Sequence, residues 1–169
     1  MKNIENKKIE EIAKEIRDIL APYCQKIEIA GSIRRKKDVI SDIDLVLIPK
    51  PELFSKLSSL NYENVITIKG HKFGTVTKWF SLETFLYKDV SVDLYNATEK
   101  DYGVSLLVWT GGVEHNLSLV KRAKELGLRF GTDNNGIWGI YNGEECLTDH
   151  TEESVYRVLN LDYVEPTNR

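Results

Sequence analysis

Long apolar runs are missing from this sequence, and so is any excess of positive charge. No stretch approaches the roughly 18 apolar residues that a membrane-spanning helix requires, so a membrane partner is not expected. The first residues, MKNIENKKIEEIAK, alternate charge at helical spacing and lack the apolar block of a secretory signal. Cysteine is scarce: Cys24 and Cys146 are the only two and lie far apart. That argues against a cysteine metal site or a disulfide framework and makes an intracellular, cytoplasmic location the expectation. A net charge of −3 and a pI near 5.7 argue against tight, non-specific binding of duplex nucleic acid, which usually goes with a basic domain. A local basic groove stays open. No repeat and no low-complexity linker divides the chain.

What is present is enough for one domain, or two packed subdomains, with a real core: 169 residues, 41% of them apolar and 29% charged. Ile9, Ile12, Ile16, Ile19 and Leu20 recur at three- and four-residue steps, predicting an amphipathic helix over 4–20 that ends near Pro22. Residues 26–31 and 42–48 read as strands, the second apolar on both faces beyond its aspartates and stopped by Pro49 and Pro51. A short helix over 51–60 and β-rich segments from Val65 to Ala97 follow. Beyond Thr98 the texture changes. Residues 113–127 predict a helix with Gly127 at C′, Asn135-Gly136 and Asn142-Gly143 are hairpin signals, and Thr151 caps a last helix. Two subdomains meeting near residue 100 are the expected partition.

The stretch GSIRRKKDVISDID carries the chemistry. In a strand, Asp42 and Asp44 project from one face about 7 Å apart along the backbone. At an effective dielectric near 20 they repel by about 2–3 kcal/mol, a cost that a divalent cation such as Mg²⁺ turns into binding. In DVSVDLY, Val90, Val92 and Leu94 form one face and Ser91, Asp93 and Tyr95 the other, so Asp93 is a third carboxylate. Asp89 reads as a turn residue. Three carboxylates on adjacent strands can hold two metals about 4 Å apart, as in-line phosphoryl transfer requires. Gly31 allows close backbone approach to a phosphate, Ser32 offers a hydroxyl, and Arg35 offers a bidentate guanidinium. Lys36 and Lys37 read as solvated loop.

These residues resemble the signature of the polymerase-beta-like nucleotidyltransferases: Gly-Ser, a spacer, D-x-D, then a lone aspartate. The segments WTGGVEHNLSLVKRAKELGLRF, TEESVYRVLNLDYVEPTNR and KGHKFGTV are similar to family X DNA polymerases in the same order. The resemblance implies an α+β fold: a nucleotidyltransferase palm over 1–99, with a mixed β-sheet flanked by helices, and a small α+β thumb over 100–169. It implies that Asp42 and Asp44 bind both of two Mg²⁺ ions, with Mn²⁺ as a substitute, and that Asp93 binds the catalytic ion and helps deprotonate a primer 3′-hydroxyl. Gly31, Ser32, Arg35 and the backbone at Ser41 would hold the triphosphate. Trp109, Thr110 and Gly111 would border the sugar, and Asn116 the minor-groove edge. Lys69, Lys72, Lys121 and Arg122 are secondary candidates for DNA-backbone contact, with plain surface as the competing reading.

The expected activity is therefore short-gap DNA synthesis in repair, from dNTPs on gapped or primer-template DNA, by a monomer with a ligase as a possible repair partner. The family's lyase and helix–hairpin–helix fingers domains are not expected in these residues, so DNA binding should be weak and salt-dependent. Where the family has Tyr-Phe this chain has Val108-Trp109, and Gly112, Ser91 and Val120 stand where serine or basic residues are usual. A nucleotidyltransferase acting on a protein, tRNA or small molecule is the first alternative, and a non-catalytic binding module the second. Two readings stand for His115, base contact or helix surface. Trp138 is expected in packing; Trp79, Phe80 and Phe85 in core or sheet surface.

Overall fold

A computed structural model describes residues 4–68 and 82–169. Helix α1 (Ile4–Leu20) forms as its apolar period predicts, burying Ile12, Ala13, Ile16 and Leu20. Strand β1 (Cys24–Ile29) ends earlier than the sequence pattern indicates. The reason is Gly31, whose φ of +55° turns the chain out of extended geometry into the short helix α2 (Gly31–Arg34). Strand β2 (Asp42–Pro49) runs into Pro49, and α3 (Leu53–Tyr62) begins two residues after Pro51. Strands β3 (Ile66–Ile68), β4 (Leu82–Tyr87) and β5 (Val90–Asn96) complete a five-stranded sheet of order β1-β2-β5-β4-β3. Only β2 and β5 pair in parallel within it, so the sheet is mixed, as expected. Lys88 and Asp89, both at positive φ, make the two-residue β4–β5 turn.

Alternation assigns the faces. Ile43, Leu45 and Leu47 of β2, with Val92 and Leu94 of β5 and Phe85 of β4, pack against α1 and α3 in the main core. The opposite face of β2 carries Asp42 and Asp44 near its start and buried Val46 and Ile48 beyond them. Helix α4 (Tyr102–Thr110) lies on that apolar half, through Tyr102 and Leu106. Its other side joins a second core with α5 (Val113–Glu125), β7 (Trp138–Asn142) and α6 (Glu152–Val158), built from Val104, Leu107, Leu119, Ala123, Ile140, Val155 and Tyr156. Strands β6 (Arg129–Thr132), β7 and β8 (Glu145–Cys146) form a small antiparallel sheet. Gly127 follows α5 at φ +74° and the Thr151 hydroxyl accepts from Ser154 N–H, as the sequence predicts.

Asp101 joins the halves. Its Oδ1 accepts from Thr98 N–H and Oγ1, and its Oδ2 from Ser105 Oγ and, at 2.9 Å, from Trp138 N–H. No helix among the described residues is long and apolar enough to cross a membrane.

Candidate active site

The carboxylates meet where the apolar alternation of two neighbouring strands leaves its polar phase. Asp44 and Asp93 are paired in register on the parallel strands β2 and β5, and Asp42 lies opposite Ser91, one same-face step away. All three are half-buried, and each is held by one hydroxyl. Ser41 Oγ donates to Asp42 at 3.2 Å, Tyr95 OH to Asp44 Oδ1 at 3.2 Å, and Thr84 Oγ1 to Asp93 Oδ1 at 2.6 Å. Burial, reinforced by the Asp42 and Asp93 charges, pushes the Asp44 carboxyl up to about 6, against the opposing hydrogen bond from Tyr95 and the charge of Arg35. As positioned, no three acidic, histidine or cysteine side chains among the described residues converge on one point as a metal site.

The raised Asp44 value makes a stability prediction. Its folded-state value lies above the ordinary 3.8, so stability is full below that value and is lost as pH rises through about 6. The neutral isostere escapes this loss. In chelator at pH 7.5, Asp44→Asn is expected to melt roughly 2–5 °C above the parent, a gain that disappears near pH 4. A thermal-melt series over pH checks both limbs; a variant melting below the parent at pH 7.5 would refute the electrostatic account.

Gly31 is required here for two reasons. Its φ is positive, and a Cβ at that position would overlap the Asp44 carboxylate. The junction is fixed by Ala30 N–H donating to the Asp44 carbonyl at 2.8 Å. Beside it, Ser32 Oγ and Arg35 Nε are buried and have no protein partner.

The cation run also makes contacts within the chain. Arg35 turns one guanidinium nitrogen inward: its Nη1 donates to the Thr110 carbonyl, while its Nε has no protein partner. Arg34 makes a bidentate pair with Glu152, at 2.8 and 2.6 Å, and also donates to Thr110 Oγ1. Lys37 is exposed, as its solvated-loop reading expects, and its Nζ also donates to the backbone oxygen of Arg169. Arg34 and Arg35 therefore tie the segment after Gly31 to α4 and α6, and Lys37 ties it to Arg169. Lys36, exposed at φ +54°, keeps its loop reading.

Trp109 stacks on Tyr95, centroids 3.9 Å apart and planes at 17°, which brings it to the carboxylate cluster through one ring. Thr110 is buried under the two arginines, and Gly111 has φ +74° with Arg35 Nη1 2.8 Å from where a Cβ would stand. Asn116 spends its amide on the Val108 carbonyl at 2.8 Å. His115 is not plain helix surface. It is half-buried, lies 2.9 Å from Tyr156 OH through Nε2, and burial lowers its basicity. Trp138 packs in the second core. Lys121 is exposed on α5, whereas Arg122 is engaged by Leu159 O and Glu125. Ser41 is exposed. Lys69, Lys72, Trp79 and Phe80 lie outside the described residues. A cavity of about 970 Å³ lies elsewhere, lined by Thr98, Tyr141, Cys146 and His150 among others and by none of the three aspartates.

Glu152, Arg169, Thr84 and Tyr95 are the residues the sequence pattern did not single out. For Glu152 the available signal was its place in a capped first helical turn, which reads equally well as a solvated N-terminal glutamate.

Comparison with known proteins completes the assignment. Residues 105–169 match the DNA polymerase beta thumb family. Over 163 residues, 94% of this chain, the sequence is 29% identical to the DNA polymerase/3′-5′ exonuclease PolX of Bacillus subtilis (strain 168). The chain spans about a quarter of that relative, 27% of its length. Residues 105–169 are thus similar to a DNA polymerase beta thumb, and the chain as a whole is similar to part of a bacterial PolX.

Proposed function

We propose that this chain transfers nucleotides from dNTPs to the 3′-hydroxyl of a DNA primer and fills short gaps, with residues 1–99 as palm and 100–169 as thumb. The observation that carries this reading is the in-register pairing of Asp44 with Asp93 on parallel strands, with Asp42 on the same face and the Gly31 turn alongside. The donor set suits a hard divalent cation: three carboxylates, one of them crowded by like charge. Asp42, Asp44 and Asp93 would hold two Mg²⁺ or Mn²⁺ ions, which when bound supply the positive charge that offsets triphosphate and leaving group.

The chain's own groups divide the remaining work. Thr84 occupies Asp93 Oδ1, leaving Oδ2 to accept the proton of the primer hydroxyl. The freed 3′-oxygen then bonds to the α-phosphorus as the bond to the bridging oxygen breaks and pyrophosphate leaves. Ser32 Oγ and Arg35 Nε, buried and unpartnered, offer donors to the β- and γ-phosphates. Trp109, Thr110 and Gly111 would border the sugar. Asn116 would face the base edge on release of the Val108 carbonyl, and Lys121 the DNA backbone. A gap filled in this way ends in a nick, so a ligase must act next.

The test is extension of a primer on one-nucleotide-gapped DNA with Mg²⁺ or Mn²⁺, and with chelator as control. Metal-dependent addition of one nucleotide supports the proposal; none with either ion would overturn it. A second reading, transfer to a non-DNA acceptor, is favoured by the internal use of Arg34, Arg35 and Lys37 in a chain of net charge −3. Gel shifts at low salt separate the two: gapped DNA retained, and released as salt rises, is expected of the polymerase.

A further inference from the structure

The last carbonyls of α4 have no partner inside the helix, and the one at Val108 is taken by the Asn116 side-chain amide at 2.8 Å. A carbonyl only accepts, so Asn116 Nδ2 faces it and Oδ1 faces the other way. There Oδ1 meets His115 Nδ1 at 3.3 Å. On the far side of the same ring, Nε2 lies 2.9 Å from the hydroxyl of Tyr156, a side chain that is 2% exposed. Tyr156 is itself fixed, edge-on to Tyr163 with centroids 5.1 Å apart and with the Arg169 guanidinium 5.8 Å from its ring centre.

One protonation pattern satisfies all of these contacts. Asn116 Oδ1 only accepts, so His115 Nδ1 must carry a proton. Nε2 of a neutral imidazole is then bare and accepts, and the Tyr156 hydroxyl is its donor. Burial lowers the basicity of the ring against the Asn116 bond; the Arg169 charge adds to the lowering and Glu152 opposes it. The other tautomer would set a bare Nδ1 against Oδ1, lone pair to lone pair. A relay of hydrogen bonds thus runs from α6 through the first turn of α5 to the end of α4.

In the polymerase reading, Asn116 leaves Val108 to face the base edge of the incoming nucleotide. An amide released there can present either its donor or its acceptor. The minor-groove edge of an A·T pair shows acceptors only, and a G·C pair adds a single donor. Nδ2 is therefore attracted to that edge, and Oδ1 is repelled by its acceptors. We propose that His115 is a positioning residue: with its tautomer fixed by Tyr156, it keeps hold of Asn116 Oδ1 when the Val108 contact opens, so that Asn116 presents only a hydrogen-bond donor to the base. The inference rests on the reading of Asn116 as a nucleotide neighbour.

The tautomer is measured first, on the parent chain without ligand. Nitrogen–proton correlation NMR near neutral pH is expected to show His115 protonated at Nδ1 and bare at Nε2, and Tyr156→Phe, which deletes the donor, to populate the form protonated at Nε2. A parent ring protonated at Nε2 overturns the inference whatever the chain does with nucleotides. Binding is measured next, with dATP and with 3-deaza-dATP, in which a C–H replaces the N3 acceptor of the minor-groove edge. Each is placed opposite thymine in gapped DNA with a dideoxy-terminated primer. His115→Phe keeps a ring and removes the donor. Its dissociation constant for dATP is expected to rise about three- to tenfold, and that for 3-deaza-dATP to match the parent's. His115→Asn, whose amide nitrogen can stand in for Nδ1, should recover most of the dATP affinity. A residue that only packs would weaken both nucleotides alike. An equal rise for both, or no rise for dATP, in a His115→Phe protein that melts like the parent overturns the inference. If the parent itself binds neither nucleotide on gapped DNA, the polymerase reading fails and this inference with it. If it binds dATP and Asn116→Ala weakens it while His115→Phe does not, only the inference fails.

Discussion

Asp93→Ala is expected to stay folded and to lose nucleotidyl transfer by about 10³-fold or more. The fold should survive because Asp93 faces away from the core that its strand neighbours Val92 and Leu94 build with α1 and α3. Its removal also relieves Asp44 of one of the charges that push its carboxyl up. The Thr84 hydroxyl loses its partner but is only half-buried and can bond to water. Activity should fall because the substitution deletes both a proposed cation ligand and the proposed proton acceptor. The proposed triphosphate donors, Ser32 and Arg35, are untouched, so the KM for dNTP should change far less than kcat. Single-turnover extension on gapped DNA, with circular dichroism and a melt as controls, measures the three quantities. Extension at the parent rate would remove Asp93 from the mechanism. A parallel loss of melting temperature and activity would reassign it to structure.

The site was legible in the sequence to the extent that it is local. Asp42 and Asp44 are two residues apart in a strand, so alternation alone puts them on one face, and Gly31 announces its turn by composition. Asp93 was legible as a polar residue in the wrong phase for a core, though its register against Asp44 was not. The partners of the cation run were not legible, because they lie 75 to 132 residues away. The same distance hid Glu152, Arg169 and the Tyr95–Trp109 stack, which exist only once α4 and α6 have docked. Helix α1, the Gly127 terminus and the Thr151 cap were read correctly because each is decided within one turn of chain.

Glu152→Ala is expected to cost about 3–5 kcal/mol, the usual result of leaving buried cations without their counter-charge. Glu152 is 7% exposed, and it accepts two bonds from Arg34 and one, at 2.9 Å, from Arg169, whose side chain is fully buried. In a chain of this size that corresponds to a melting temperature lower by roughly 10–15 °C. Glu152→Gln, which keeps the shape and one acceptor, should fall between. The pH dependence has a definite sign. Burial alone would raise the Glu152 carboxyl, but the hydrogen bonds and charges of Arg34 and Arg169 outweigh it and hold the group below its ordinary 4.5. The unfolded chain therefore takes up the proton first, so the stabilisation is complete above 4.5 and is lost as pH falls through the lower folded-state value. The gap between parent and Glu152→Gln should be widest near neutrality and close on the acid side. A gap independent of pH would show that shape rather than charge makes the contact. Because Arg34 neighbours Arg35 and both grip Thr110, loosening Glu152 should also raise the KM for dNTP. Recovery of KM at low temperature, where the weakened variant is fully folded, would confine the effect of Glu152 to stability.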